Sequence, residues 1–133
     1  MNPRYFLISG RANGRCEYCH APEAVFNFAF QVEHILPHAE QGNDGISNLA
    51  LACSACNLYK GAAIVGLDED TQLLQSLFNP RTQQWGAHLR VNLESAEIIG
   101  LTPVGRSTVA RLQMNTARQL AARQQWIQLG LFP

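Results

Sequence analysis

Lysine is almost absent from this sequence of 133 residues, where Lys60 stands alone against nine arginines. No apolar run is long enough to cross a bilayer, and the first residues lack the apolar core and small-residue cleavage site of a secretion signal. We therefore expect a cytoplasmic protein with no membrane partner. Repeats, low-complexity tracts and coiled-coil heptads are also missing. These absences favour one compact domain over residues 1–133, with a hydrophobic content of 47% to fill its core.

Net charge is absent as well, since ten basic residues balance ten acidic ones. Residues 1–80 carry four basic and eight acidic side chains, whereas residues 81–133 carry six arginines and two acids, so the two parts have net charges of −4 and +4. Proteins that bind nucleic acid usually present a basic surface, and only the second part fits that rule. Its arginines are either phosphate contacts or solvated helix faces: Arg81, Arg90, Arg106, Arg111, Arg118 and Arg123.

The four cysteines form two pairs of identical spacing, Cys16-x-x-Cys19 and Cys53-x-x-Cys56. Two such pairs complete a tetrahedral four-thiolate site, which suits zinc by ligand softness and geometry. The alternative is a disulfide framework or free thiols, and disulfides are expected of short secreted chains. Because no secretion signal is evident, we favour zinc. Four protein ligands leave no open position for a substrate, so this zinc should be structural.

The residues within and between these pairs resemble the HNH endonucleases, in particular their four-cysteine, ββα-metal (His-Me finger) branch. The resemblance rests on an ordered signature: Cys16-Glu17-Tyr18-Cys19, Val32-Glu33-His34-Ile35-Leu36-Pro37, Gly45, Ser47-Asn48-Leu49-Ala50-Leu51-Ala52-Cys53, Cys56-Asn57 and Lys60-Gly61. A weaker likeness to small stand-alone bacterial HNH proteins runs through the tail: Leu77-Phe78-Asn79-Pro80-Arg81, Trp85, Gly100-Leu101-Thr102-Pro103 and Gly105-Arg106. The resemblance implies an α+β fold with a ββα-metal core over about residues 12–65 and a C-terminal extension of a hairpin and helices over about 66–133.

His34 is the candidate general base for phosphodiester hydrolysis. An imidazole, with a pKa of about 6.5, can accept a proton from water near neutral pH while a backbone carbonyl fixes its tautomer. The alternative is a satisfied surface or core histidine. Neighbouring strand residues point to opposite faces, so Glu33 and His34 serve one phosphate only if the strand twists or ends there.

Glu33 and Asn57 are the candidate ligands of a catalytic ion. Carboxylate and amide oxygens favour Mg²⁺ or Mn²⁺, completed by water and the phosphate. Many HNH members carry histidine where this chain has Asn57, and this departure makes zinc or nickel less suited to the catalytic centre. The alternative for Asn57 is a helix N-terminal cap.

Three further residues enter through the family signature. Asn48 would hold the loop between the strands so that the histidine is aimed, which a turn asparagine bonded to its own backbone would also do. Lys60 would reach a phosphate oxygen from the helix that carries Asn57, or lie in solvent near the helix end. His38 would touch the phosphate or face solvent.

Local patterns predict the elements around this signature. We expect a helix or turn over residues 3–12, a half-buried strand over Phe26–Phe30, and a returning strand at Leu49–Leu51. The extension should contain an apolar segment at Leu73–Phe78 and a hairpin over residues 87–100.

Two helices should complete the extension. The first begins at a Thr102 cap with Pro103 in its first turn and runs to about Leu112. The second is capped by Asn115 and ended by Gly130. Its buried face should contain Ala117, Leu120, Ala121 and Ile127.

The sequence therefore predicts a metal-dependent endonuclease that hydrolyses phosphodiester bonds in nucleic acid, with DNA expected. The resemblance implies 5′-phosphate and 3′-hydroxyl ends. One such site cuts one strand, so the protein nicks, or breaks both strands as a homodimer or through a second binding event. Two other classes stay open: a non-catalytic zinc-ribbon module that binds nucleic acid or protein, and a partner-dependent subunit of a defence or mobile-element system.

Overall fold

The computed structural model describes all 133 residues and has an α+β architecture of five helices and six short strands. The helices are α1 (Tyr5–Arg11), α2 (Ser54–Lys60), α3 (Trp85–His88), α4 (Pro103–Arg111) and α5 (Ala117–Gln128). The strands are β1 (Gln31–His34), β2 (Leu49–Ala52), β3 (Val65–Asp68), β4 (Leu73–Ser76), β5 (Leu89–Val91) and β6 (Ile98–Gly100). None of these helices combines the length and the apolarity needed to cross a membrane.

The strands pair as three separate antiparallel hairpins, β1–β2, β3–β4 and β5–β6. In the first hairpin Glu33 lies opposite Ala50 and His34 opposite Leu49, and β1 ends at His34 as predicted. Since isolated two-stranded hairpins are marginal in water, each depends on packing against helices or the cysteine cluster. The predicted returning strand is confirmed as β2, and α2 follows it directly, which completes a ββα unit.

Cys53 caps α2 at its N-terminus, where its Sγ accepts a hydrogen bond of 3.4 Å from the backbone N of Cys56. Asn57 lies in the middle of the helix, so its alternative role as the N-terminal cap is wrong. A thiolate can take that position because the chain bends there to turn both cysteines of the pair inward.

The predicted strand over Phe26–Phe30 is wrong. These residues bend after a single 3-10 turn at Glu23–Val25, and the Glu23 carboxylate accepts a 2.7 Å hydrogen bond from the backbone N of Phe30. The rings of Phe26 and Phe30 pack edge to face with centroids 4.9 Å apart. The aromatic alternation thus reflects packing of a turn, and the strand begins only at Gln31.

The extension agrees better with its prediction. The hairpin is confirmed as β5–β6, and α4 begins at Pro103 with Thr102 Oγ1 accepting a 3.1 Å hydrogen bond from the backbone N of Gly105. The predicted apolar segment at residues 73–78 contains β4, which pairs with β3. Because β3 begins at Val65, the expected boundary between core and extension falls on its first residue.

The predicted cap of α5 at Asn115 is wrong, because the helix is capped by Thr116. Thr116 Oγ1 accepts the 3.3 Å hydrogen bond from the backbone N of Gln119. Asn115 instead pairs with both backbone groups of Ile98, at 2.9 and 2.8 Å, and so joins the start of α5 to β6.

The buried face of α5 also differs from the prediction. Arg123 and Trp126 are buried, whereas Ala117 and Ala121 are exposed. Apolar periodicity could not identify this face because its central residue is an arginine. Gly130, in the left-handed region with φ of 72°, follows the helix end as predicted.

Candidate metal centre and catalytic cleft

The four cysteines meet in one buried cluster, each at most 3% exposed. Their thiols are free of disulfides, and Cys19 Sγ lies 3.7 Å from Cys53 Sγ. Sulfur ligands at Zn–S bond lengths around a tetrahedral ion lie about 3.8 Å apart, so the spacing fits such a site. The four cysteines are therefore positioned to bind a metal ion.

The four cysteines come from residues 16–56, and the C-terminal extension packs against the first pair. The first pair lies in a turn where the backbone N of Cys16 bonds to the carbonyl of Ala21 at 3.0 Å. Trp85 of the extension donates its indole N–H to the carbonyl of Tyr18 at 2.8 Å, and its ring stacks on His20 with centroids 4.0 Å apart. The extension thus covers the first pair, while α2 carries Cys56 of the second.

The predicted catalytic residues line one open cleft beside α2. Glu33, His34, His38 and Asn57 all contribute to it, together with Gly61 and the neighbouring apolar residues. Asn57 is half-buried on α2, and its side-chain amide makes no hydrogen bond to the protein. Because β1 ends at His34, a buried Glu33 and a half-exposed His34 both reach the same cleft.

His34 is held by a carboxylate that the sequence did not suggest. Its Nε2 lies 2.7 Å from Oδ1 of Asp44, where a backbone carbonyl was expected. An ionised carboxylate only accepts, so Nε2 carries the hydrogen and the free lone pair lies on Nδ1. This hydrogen bond, followed by that from His38, lowers the pKa of the Asp44 carboxyl.

His38 shares the same acceptor. Its Nε2 lies 2.8 Å from Asp44 Oδ1, and its ring meets that of His34 edge to face with centroids 4.9 Å apart. The three side chains therefore meet at Asp44 Oδ1, and His34 and His38 also line the cleft that contains Asn57.

Asn48 closes the loop that carries Asp44. Its Oδ1 accepts from the backbone N of Leu36 at 2.9 Å, and its Nδ2 donates to the carbonyls of Leu36 at 2.9 Å and Asn43 at 2.8 Å. Gly42 fits beneath, where a Cβ would stand 1.8 Å from the carbonyl oxygen of Leu36. Asn48 thus holds the loop between the strands.

Lys60 is buried below the cleft with an exposed fraction of 1%. Its Nζ donates to Glu33 Oε2 at 3.0 Å and to the carbonyls of His34 at 3.1 Å and Ile35 at 3.0 Å. All three protons of the ammonium are used inside the protein. The predicted phosphate contact by Lys60 is therefore wrong, and so is the alternative of a solvated lysine.

Glu33 is held from two sides, by Lys60 and by the Tyr18 hydroxyl, which donates to Oε1. Burial raises the pKa of the Glu33 carboxyl, and the nearby ammonium of Lys60 and the hydroxyl of Tyr18 oppose this rise. Each carboxylate oxygen has two lone pairs and uses one in these hydrogen bonds, so each retains one acceptor position.

Three of the six arginines of the tail are committed to the fold. Arg81 pairs with Glu17, Arg106 forms a bidentate pair with Asp68 at 2.8 and 3.0 Å, and Arg123 is fully buried on backbone carbonyls. Their predicted alternative as phosphate contacts is wrong. The exposed arginines of the tail are Arg90, Arg111 and Arg118.

The sequence reasoning missed Tyr18, Asp44 and Arg4 as parts of the site. Tyr18 stands inside the first cysteine pair, which was the one signal that it faces the core. Asp44 lies in a glycine-rich loop, where an acidic residue is ordinary turn composition. Arg4 donates to the backbone carbonyl of Asp44 across 40 positions, a contact that no local pattern reveals.

Comparison with known proteins agrees with this geometry. Residues 16–63 match the family model of the HNH endonucleases. The match includes both cysteine pairs, β1, β2 and α2, and ends before β3. No curated protein and no solved structure matches the chain.

The cysteine cluster generates the first testable prediction. We expect one tightly bound metal ion per chain by elemental analysis, and loss of that ion in Cys19→Ser. Structural zinc sites contribute about 10–16 kcal/mol, as much as a typical domain's total stability, so the ion-free chain should lose its near-UV circular dichroism. The neighbouring Ser54→Ala variant keeps all four thiols and should keep both the metal ion and the near-UV circular dichroism. A variant Cys19→Ser that retained the ion and its melting temperature would contradict the site.

The buried ion pair of Lys60 and Glu33 generates the second testable prediction. Lys60→Met leaves the Glu33 carboxylate buried without its cation and should lower the free energy of unfolding in urea by about 3–5 kcal/mol. The double variant Lys60→Met/Glu33→Gln, which removes the charge as well, should recover part of the loss. A loss below about 1 kcal/mol, the range of exposed ion pairs, would show that the pair is not desolvated.

Proposed function

Because residues 16–63 match the HNH endonuclease family model, we propose that this protein is a metal-dependent nuclease that hydrolyses phosphodiester bonds in DNA. The observation that carries the proposal is the single cleft shared by Glu33, His34 and Asn57. It joins a half-exposed imidazole to two side chains with hard oxygen donors. The expected products carry 5′-phosphate and 3′-hydroxyl ends.

His34 acts as the general base in this proposal. Asp44 accepts the Nε2 hydrogen and so keeps the ring in the tautomer whose lone pair is on Nδ1. A water beside Nδ1 can then transfer its proton to the ring as it attacks phosphorus. The same division of labour between carboxylate and imidazole serves other hydrolases, where the carboxylate orients the ring and stays ionised.

The donor set of the cleft fits a hard divalent ion. Glu33 and Asn57 would hold Mg²⁺ or Mn²⁺ through one carboxylate and one amide oxygen, with water and phosphate completing the shell. Such an ion supplies charge neutralisation at the phosphate and stabilises the leaving 3′ oxygen. Lys60 and Tyr18 oppose the rise that burial causes in the pKa of Glu33, and they fix its carboxyl in place before any ion arrives.

The four-cysteine site fits zinc and has a structural role in this proposal. Its ligands are four soft thiolates, and none of its positions is open to a substrate. It fixes the start of α2, and therefore the direction in which Asn57 faces the cleft.

A partner-dependent nuclease is the second candidate, and the state of the basic side chains favours it. Seven of the ten donate hydrogen bonds to carboxylates or backbone carbonyls within the protein: Arg4, Arg11, Arg15, Lys60, Arg81, Arg106 and Arg123. Only Arg90, Arg111 and Arg118 make no such hydrogen bond and are free to reorient toward DNA phosphates. A second chain that supplies DNA binding would remove this difficulty.

Cleavage of supercoiled plasmid tests the main proposal. The metal-loaded wild type should cut with added Mg²⁺ or Mn²⁺, and His34→Ala should be slower by about 10²–10⁴-fold, the usual contribution of a general base. His88→Gln, which removes an imidazole outside the cleft, is the matched control and should cut like the wild type.

Nicked and linear products are followed separately, because they report whether one strand or both are cut. Equal rates for His34→Ala and the wild type would remove His34 from the mechanism. A wild type with its cysteine-bound ion confirmed that cuts neither plasmid, single-stranded DNA nor RNA would leave the binding-module and partner-dependent alternatives.

The salt dependence of DNA binding separates the two candidates. Each phosphate contact adds about 0.9 to the slope of log affinity against log salt, so three free arginines predict a slope no steeper than about −3. The triple variant Arg90→Gln/Arg111→Gln/Arg118→Gln should flatten it. A slope of about −6 or steeper would mean that the isolated chain makes many more phosphate contacts, which would contradict partner dependence.

A further inference from the structure

His34, His38 and Asp44 form a second cluster of metal-ligand atoms, separate from the cysteines. Their two Nε2 atoms and the carboxylate oxygen all lie within 4.8 Å of one another. We propose that these three side chains bind a first-row transition ion such as Zn²⁺ or Ni²⁺, and that the bound ion inhibits the nuclease. The inhibitory half of this inference rests on the proposed function of His34, whereas the binding half does not.

The chemistry of the cluster selects the class of ion. Two imidazole nitrogens and one carboxylate oxygen are the donor set of Zn²⁺, Ni²⁺ and Co²⁺ sites, with open positions for water. Mg²⁺ prefers an all-oxygen shell and gains little from imidazole. The cluster therefore differs from the Glu33 and Asn57 donors in the cleft, which contribute oxygen alone.

The contacts to Asp44 have to lengthen for the cluster to accept an ion. Both Nε2 atoms already point at Asp44 Oδ1, from 2.7 and 2.8 Å. Ligand atoms around a tetrahedral zinc lie about 3.4 Å apart, so the carboxylate has to move outward by about 0.6 Å. Asp44 can do so, since its side chain is 69% exposed on the loop between Gly42 and Gly45.

The two imidazoles lie at the end of a strand and at the start of a turn. His34 ends β1, and Lys60 fixes the backbone at that point through the carbonyls of His34 and Ile35. His38 begins a 3-10 turn at His38–Glu40 directly after Pro37. Both nitrogen donors therefore lie within 4.8 Å of each other before any ion binds.

An ion on Nε2 would disable His34 as a base. Nε2 now carries the hydrogen that Asp44 accepts, and metal binding requires the Nε2 lone pair of a neutral ring. The remaining ring hydrogen must then lie on Nδ1, the atom proposed to take the proton from water. The same side chain therefore serves either hydrolysis or the transition ion, and never both at once.

Calorimetric titration of the full chain with NiCl₂ tests the binding half, with the cysteine-bound ion confirmed by elemental analysis before and after. The wild type should bind one Ni²⁺ outside the cysteine cluster. His38→Ala and Asp44→Asn should each weaken that binding by at least about tenfold, since each removes a ligand. Glu40→Gln, which removes an exposed carboxylate from the same loop, should bind like the wild type.

Nuclease assays on the same proteins test the inhibitory half. Ni²⁺ at a saturating concentration should stop Mg²⁺-dependent cutting by the wild type and by Glu40→Gln. Any residual cutting by His38→Ala or Asp44→Asn should need at least about tenfold more Ni²⁺ for the same fractional inhibition. Wild-type cutting that persists at saturation would overturn the inhibition.

Failure of this inference is distinguishable from failure of the proposed nuclease. A wild type that binds no Ni²⁺ outside the cysteines, or variants that bind it equally well, would overturn the site even if plasmid is cut. A protein that binds Ni²⁺ through His38 and Asp44 but cuts nothing would support the site and count against the nuclease.

Discussion

Four sulfur atoms from two turns, one at residues 16–19 and one at residues 53–56, meet in a cluster that the rest of the chain surrounds. The protein has no sheet larger than two strands, so its hairpins cannot support one another. An ion shared by both turns would fix the start of α2 against β2, and Trp85 brings the extension onto the first turn. The cluster thus replaces the continuous sheet that a domain of this size would otherwise use as its frame.

A second buried charge depends on that frame. Lys60 ends α2, and its ammonium reaches back to Glu33 and to two carbonyls at the end of β1. An ion pair removed from water seldom stabilises a fold more than apolar residues would. The role of this pair is therefore to position the groups that it contacts. It fixes the strand end that presents His34 and at the same time holds the Glu33 carboxyl in place at the cleft.

Sequence reasoning was accurate where a residue type has one dominant use. Paired cysteines, a Thr-Pro helix start at Thr102 and Pro103, and a glycine after α5 each mark a single local geometry, and all three are found. The cleft was anticipated as a set because the family signature orders its members along the chain. Residues 16–63 alone carry that signature.

Sequence reasoning failed where the partner of a side chain lies far away in the sequence. Lys60, Arg81 and Arg123 look like surface cations in sequence, yet their partners lie 27, 64 and 27 positions away. The alternation from Phe26 to Phe30 failed for a related reason, since Glu23 takes the backbone N–H that a strand would have paired. Periodicity records which residues are apolar, and it does not record which polar groups will be buried with them.

The loop between β1 and β2 carries His38 and Asp44, which add two possible metal ligands beside His34. Glu33 and Asn57 line the cleft with oxygen donors that suit hard ions, and His38 and Asp44 add to His34 a nitrogen and an oxygen that suit borderline ones. A neutral imidazole has a lone pair on one ring nitrogen and a hydrogen on the other. An ion bound to one nitrogen therefore requires the hydrogen to be on the other nitrogen. On the proposed function, an ion bound at Nε2 therefore forces the ring hydrogen onto Nδ1, the atom that would take the proton from the attacking water.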